Sequence, residues 1–389
     1  MKVVFVSNFM NHHQLPFSMA MVQNPEIEYK FIATEPIPEE RLQMGYQDMN
    51  HSYDFVLCSY DSLEKYNKAL ELCYNADVVV FGSASETFIK KRLIKGKLTF
   101  KYAERIDKIK PSFYKILPRA IKLFIKNGIY KNFYLLCASA YTAVDYAKTL
   151  SFIGKTYKWG YFPEVKKYEN IKEVIKNKKK TTLLWAGRFI DWKHPEYAVE
   201  VARRLKQDGY NFMLNIIGTG DMELELKALI SNYGLEDSVC MLGSMSPEKV
   251  REYMESSEIF LFTSDRQEGW GAVLNESMNS GCTVVASNAI GSVPFLLKNG
   301  ENGFIYSDGD LDDLYNKVKY LLDNTSKLED FGKEAYNTLC DEWNAENAAN
   351  RFICLAKKIL VGNKKPNIYD NGICSKAEII NDENWWLNI

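Results

Sequence analysis

Two carboxylates and two cations in the second half of the chain have the types and spacing to handle a sugar and a diphosphate. Glu268 and Glu276 lie in Ser264-Asp-Arg-Gln-Glu268-Gly-Trp-Gly-Ala-Val-Leu-Asn-Glu276, where a short apolar run (259–263) enters a loop with Gly269 and Gly271 and then a helix ending near Gly281. Glycines let a backbone pass close to a ligand, and the amides of Gly271, Ala272 and Val273 at a helix start would point at an anion. A carboxylate at each end of that turn can accept hydrogen bonds from sugar hydroxyls on either side of a diphosphate. The same residues also suit plain turn glycines and a first-turn acid that complements the helix dipole. Upstream, Trp185-Ala-Gly-Arg188-Phe-Ile-Asp-Trp-Lys193 places two cations on a strand-end loop, before a helix over 195–206. Two such cations suit a leaving diphosphate whose negative charge grows in the transition state. Ile216-Ile-Gly218-Thr-Gly220 has part of a dinucleotide fingerprint but lacks the third glycine.

The first half offers Asn11-His12-His13-Gln14 just after the first apolar run, where an imidazole can hydrogen-bond a sugar hydroxyl or relay a proton. A structural, hydrogen-bonded histidine fits equally. Ser83 and Ser85 follow another apolar run and suit an acceptor wall, with Asn11, Glu104 and Arg105 as weaker candidates.

The elements that must position these residues are legible as rhythm. Runs rich in Val, Ile and Phe at 3–7, 29–33, 55–58, 77–81 and 134–138, then at 183–186, 212–217, 239–242, 259–263, 283–286 and 303–306, alternate with longer amphipathic stretches. That pattern predicts parallel sheets covered on both faces by crossover helices. At 389 residues the chain has room for two such domains. We expect an N-terminal acceptor-side domain at 1–165, a linker at 166–180 ending in three solvated lysines, a C-terminal donor domain at 181–362 and a tail at 363–389 that packs back on the first domain. Two doubly wound domains would face a central cleft lined by the carboxyl ends of their strands.

The order Gly-Arg188, Lys193, Gly218-x-Gly220, and Glu268 followed by seven residues and Glu276 resembles the retaining glycosyltransferases of family 4 (glycosyl transferases group 1), which have the GT-B fold of two Rossmann-like domains. Gly281-Cys-Thr-Val-Val-Ala-Ser287, Gly291-Ser-Val-Pro294 and Asn299-Gly-Glu-Asn-Gly-Phe304 extend the resemblance over about 180–360. It implies that Arg188 and Lys193 bind the diphosphate of a nucleotide sugar, Glu276 the ribose and Glu268 the transferred sugar. Gly187, Gly218, Gly220, Gly269, Trp270, Gly271, Ala272 and Val273 would complete the donor site, and Leu242 within 239–246 would face the base. The resemblance implies no cofactor and no metal; the co-substrate would be a UDP-linked sugar, with the leaving phosphate helping to deprotonate the acceptor on the same face. Relatives with short N-terminal domains carry a similar Asn-His-His-Gln segment, while many others have a glycine-rich loop there. Where many relatives place a histidine near the sugar, this chain has Phe100-Lys-Tyr-Ala-Glu104-Arg105.

The charge balance of 49 basic against 50 acidic residues removes a global argument for nucleic acid. It conceals an unequal distribution: residues 89–131 hold 14 basic and two acidic side chains among many aliphatic and aromatic ones. This mixture suits an anionic membrane surface, at about 1 kcal/mol per basic residue near the headgroups. No run of about 20 apolar residues is present, and the first strand is too short for a signal-peptide core. The eight cysteines, scattered without metal-ligand spacing, read as buried thiols of a cytosolic protein. We expect a retaining glycosyltransferase, peripheral on the inner face of the cell membrane, acting on a lipid-linked or growing surface glycan. The alternatives are a nucleotide-sugar epimerase and a non-catalytic nucleotide-sugar-binding subunit.

Overall fold

The computed structural model describes residues 1–39, 42, 47–108, 113–380 and 385–388, with the side chains of 113–116 and 388 excepted. The chain divides into two compact units, Met1–Glu164 with Trp343–Ile380, and Val165–Glu342 with Asn381–Ile389. The first holds a seven-stranded sheet in which β3 (Val56–Cys58), β2 (Glu28–Ala33), β1 (Lys2–Ser7), β4 (Val78–Phe81), β5 (Thr99–Ala103), β6 (Phe133–Cys137) and β7 (Thr156–Lys158) lie in that order, and the second a six-stranded sheet in the order β10 (Val239–Gly243), β9 (Met213–Ile217), β8 (Lys179–Ala186), β11 (Ser257–Phe262), β12 (Thr283–Ser287), β13 (Gly303–Tyr306). Every described ladder within them is parallel. In the first unit, β1 (Lys2–Ser7), β4 (Val78–Phe81) and β6 (Phe133–Cys137) are buried on both faces, as continuous apolar runs demand. In the second, β8 (Lys179–Ala186), β11 (Ser257–Phe262) and β12 (Thr283–Ser287) play that part.

Each sheet reverses its winding once, between β1 and β4 and between β8 and β11. Loops leaving the carboxyl ends of adjacent strands diverge at such a reversal and leave a crevice. The candidate residues of both halves cluster at these two points. His12 and His13 follow β1, Ser83 and Ser85 follow β4, Arg188 and Lys193 follow β8, and Glu268 follows β11.

Two strands escaped the sequence reading. β5 (Thr99–Ala103) interrupts its apolar run with Lys101, which is held inside by a 3.2 Å bond to Asn127 and which burial pushes down to about 8. β7 (Thr156–Lys158) has only three residues. Three boundaries also differ. Lys178 is not a solvated linker lysine: it is 5 % exposed, and its ammonium donates to Met254 O at 2.7 Å and Ser280 O at 2.9 Å, capping the ends of two helices. The helix Ala345–Leu360 belongs to the first unit, because Phe352 packs against Phe17, Phe100 and Trp159. The tail then shields the β7 edge, with Lys158 N donating to Ser375 O and Cys374 N to Lys158 O at 2.8 Å each. Residues 381–384 lie outside the described residues. Trp386, expected on the first domain, is grouped with the second unit, where Lys317 stands 5.2 Å from its ring centre. Of the eight thiols five are buried, whereas Cys240 is exposed.

Candidate functional site

The second unit builds its site on backbone contacts. Phe189 N bonds Thr219 O at 2.9 Å, so the loops after β8 and β9 (Met213–Ile217) run against each other. A Cβ on Gly218 would stand 1.8 Å from Gly187 O and one on Gly220 2.4 Å from Phe189 O. The space left by the paired glycines is therefore filled by the 187–189 backbone, which accounts for their spacing without a dinucleotide. Leu242 sits in β10 (Val239–Gly243) at a register shift between Met241 and Gly243.

Lys193 ends the short 3₁₀ turn Asp191–Lys193. Thr263 accepts a 2.8 Å bond from Trp185 Nε1, and its hydroxyl lies 2.8 Å from the carbonyls of both Lys193 and His194. That network ties the cation-bearing turn to the end of β11. The Lys193 ammonium then reaches Glu268 Oε2 at 2.6 Å, and the buried Ser264 hydroxyl donates to the same oxygen at 3.1 Å. Both side chains of the pair are largely covered, which strengthens their attraction relative to a surface pair. Arg188 remains exposed, 6.0 Å from the Trp192 ring centre. Ser264 is a site residue the sequence reading missed; its place four residues before Glu268, at a strand end, was the available signal.

The glycine turn is rigid. Gly271 has φ +80°, and a Cβ there would stand 2.3 Å from Phe262 Cζ. Trp270 is buried, and its indole donates to Asn275 at 2.9 Å, fastening the loop to the helix Val273–Asn279. No side chain caps that helix start. Burial pushes the Glu276 carboxyl up to about 7, against the pull of Arg251. The arrangement holds one acid against a lysine and a second whose proton burial retains, at the two ends of the glycine turn.

The first unit assembles a different chemistry. Asn11 Oδ1 accepts from the amides of His13 and Gln14 at 3.0 and 3.1 Å, so this side chain shapes the turn. His12 and His13 lie ring to ring, and His13 stacks on Tyr161 at 5.0 Å. Tyr161 donates its hydroxyl to Glu104, which also receives Lys108 at 2.8 Å. Burial keeps the Tyr161 phenol well above its usual range, so it acts as a donor. Tyr161, near the end of the expected first domain, is a residue the sequence reading missed. Arg105 turns away from Glu104, toward Asp145 at 3.8 Å and the Tyr141 ring at 4.8 Å. Ser85 bonds Thr87 and its amide, opening the helix Thr87–Ile94, and Ser83 donates its amide to Ser7 Oγ. His51, Cys58 and Asp61 come within 4.8 Å of one another, a grouping invisible in the sequence; Asp61 is already held by Lys65 at 2.7 Å and the buried thiol lies 3.4 Å from Asn50 O.

The basic stretch is less uniform than its composition. Arg92 is 1 % exposed, its guanidinium bonded to the carbonyls of Cys73, Ala76 and Leu98 and to Thr99 Oγ1, so it belongs to the core and not to a surface. Arg119 pairs with Asp107, and Lys126 with Glu86. Residues 109–112 lie outside the described residues. Exposed cations remain at Lys90, Lys91, Lys95, Lys122, Lys126 and Lys131, beside the exposed Leu117, Ile121, Phe124 and Ile125. Among the described residues no helix is long and apolar enough to cross a membrane.

Residues 166–338 match the protein family described as Glycosyl transferases group 1. The amylovoran biosynthesis glycosyltransferase AmsK of Erwinia amylovora is 35 % identical over 133 residues, covering 33 % of this chain and 32 % of that protein. An uncharacterized glycosyltransferase of Methanocaldococcus jannaschii is 25 % identical over 261 residues, 66 % of this chain and 62 % of that one. The chain thus spans from about a third to about three-fifths of the length of these curated relatives. Among solved structures, Anabaena HepE in complex with UDP superposes with a TM-score of 0.68 at 14 % identity, over 92 % of this chain and 100 % of that one. That likeness is one of fold: two Rossmann-like parallel-sheet units of GT-B type.

Proposed function

From the match of residues 166–338 to the glycosyl transferases group 1 family we propose that the protein transfers a sugar from a nucleoside diphosphate donor, a uridine one, to a surface glycan under construction. The observation that carries this reading is the covered Lys193–Glu268 pair beside an amide-lined turn and Glu276. When a donor enters, its diphosphate competes with Glu268 for Lys193. The lysine passes to the phosphate with Arg188, and the released Glu268 accepts from the sugar hydroxyls, oriented by Ser264. Glu276 receives the ribose hydroxyls. The bond from the anomeric carbon to the phosphate oxygen breaks while the bond to the acceptor oxygen forms on the same face, and the acceptor proton goes to the departing diphosphate. Two cations then stabilise the charge that grows on the leaving group, which requires no metal ion. Retention is the outcome this same-face path gives.

The acceptor side is His12, His13, Glu104 and Tyr161, and the acceptor is a glycan on a lipid carrier. The exposed lysines and aliphatic residues of 89–131 suit docking on an anionic cytoplasmic leaflet, and the name of AmsK places that relative in amylovoran biosynthesis. The test is nucleoside diphosphate release from a panel of donors, with and without a membrane extract as acceptor. Acceptor-dependent release that drops about 10³-fold in Glu268→Ala supports transfer; donor binding without turnover in any extract overturns it in favour of a binding subunit.

A further inference from the structure

Away from both switch points the first unit carries a loop that no sequence motif marks. Residues 149–155 join the helix Thr142–Ala147 to β7. Phe152 turns inward and packs its ring 5.0 Å from Phe133 and 5.3 Å from Tyr146. On either side of it Leu150 and Ile153 turn outward, 69 % and 54 % exposed. Leu150 and Phe152 have φ of 54° and 57°, a left-handed region that bulky residues adopt only under strain. The strain is held by built contacts: Thr149 Oγ1 bonds Tyr146 O at 2.8 Å, and the Ser151 hydroxyl reaches Leu123 O at 3.3 Å. Leu150 O lies 3.2 Å from where a Cβ on Gly128 would stand, so the loop runs against the end of the segment that also bears the exposed Leu117, Ile121 and Ile125. A turn with no other task would carry glycine or polar residues at its exposed positions.

Cations surround the same loop. Gly154 has φ +69°; Lys376 donates to its carbonyl at 2.9 Å, and the Lys365 ammonium lies 3.0 Å from where its Cβ would stand. Lys155 follows directly, bonded to the carbonyls of Tyr130 and Lys131 at 3.0 and 2.7 Å. Lys376 also bonds the Tyr157 hydroxyl at 2.9 Å. These partners are carbonyls and a phenol, not carboxylates. Burial and then the charge of Lys365 push Lys155 and Lys376 down, the latter to about 8, and among the described residues no carboxylate is paired with Lys155, Lys365 or Lys376.

We infer that Lys155, Lys365 and Lys376 around Gly154 form a phosphate site for an anionic phospholipid headgroup, and that Leu150 and Ile153 enter the acyl region beside it. This deepens, and rests on, the membrane docking proposed above. The measurement is co-sedimentation of the full chain with phosphatidylcholine vesicles, with and without phosphatidylglycerol, backed by hydrogen-exchange protection of 149–155 on the vesicles. Leu150→Ser/Ile153→Ser and Lys365→Glu each lower partitioning to the anionic vesicles by about tenfold, with the melting temperature unchanged because these side chains are exposed. If either variant binds like the parent while Leu117→Ser/Ile121→Ser fails to bind, the loop site is overturned and docking through 89–131 stands. A parent that ignores both vesicles overturns docking and site together, and leaves donor turnover as the separate measure of glycosyl transfer.

Discussion

The two switch points share a topology and differ in how their side chains are gathered. In the second unit the charged pair and the turn come from two segments, 185–194 and 263–276, each short and each tied by backbone contacts. In the first, His13, Glu104 and Tyr161 come from three segments spread over about 150 residues and meet through rings and one phenol. The first arrangement suits a ligand with fixed charge, such as a diphosphate, because covered ions in set positions need no reorganisation. The second is polar and aromatic, its one carboxylate held by Lys108 and the Tyr161 phenol, a surface for sugar hydroxyls and ring faces.

The contrast can be broken where it is sharpest. Lys193→Ala leaves Glu268 bonded only to Ser264 and removes a cation from the leaving group. Turnover with saturating donor should fall by about 10²–10³, with the acceptor KM unchanged; a loss confined to the donor KM would mean that the lysine acts in binding alone.

Glu276 gives the next largest effect, and its sign is fixed by burial. The folded carboxyl binds its proton more tightly than the unfolded chain does, holding it up to about 7 instead of 4.5. Its contribution to stability is therefore unchanged below about 4.5, falls as pH rises toward 7, and stays at the lower level above. Glu276→Gln removes that slope and should be more stable than the parent at pH 8, by about 1–3 kcal/mol, while binding donor more weakly. Denaturant titrations at pH 5 and 8 check it; an unchanged slope would place the pH dependence elsewhere.

Tyr161→Phe is the mildest probe and belongs to the other side of the comparison. It frees Glu104 from one partner and keeps the stack on His13, so the acceptor KM should rise by about threefold to tenfold with the donor KM unaffected. Equal shifts in both would end the division of labour between the two units.

The sites differed as much in legibility as in chemistry. Glu268 and Glu276 stand out as candidates because their spacing falls along one strand-loop-helix passage, and Arg188 and Lys193 because theirs falls along another. Ser264 escaped because a serine at a strand end is common, and Tyr161 because its partners are 57 and 148 positions away in the chain. The glycines of 218–220 were readable as a motif, but their purpose is a close approach to Gly187 and Phe189 that local sequence does not state. Composition overstated the basic face, since Arg92 answers carbonyls inside the core.

By itself the sequence determined the alternating elements, the parallel sheets and the strand-end loops, since apolar period and turn residues act over a few positions. Only the tertiary structure decided which unit the helix Ala345–Leu360 joins, that Lys193 rests on Glu268, and that lysines from 155, 365 and 376 gather at one glycine. Those outcomes depend on burial and charge summed over segments far apart in the chain, a quantity that exists only once the chain has folded.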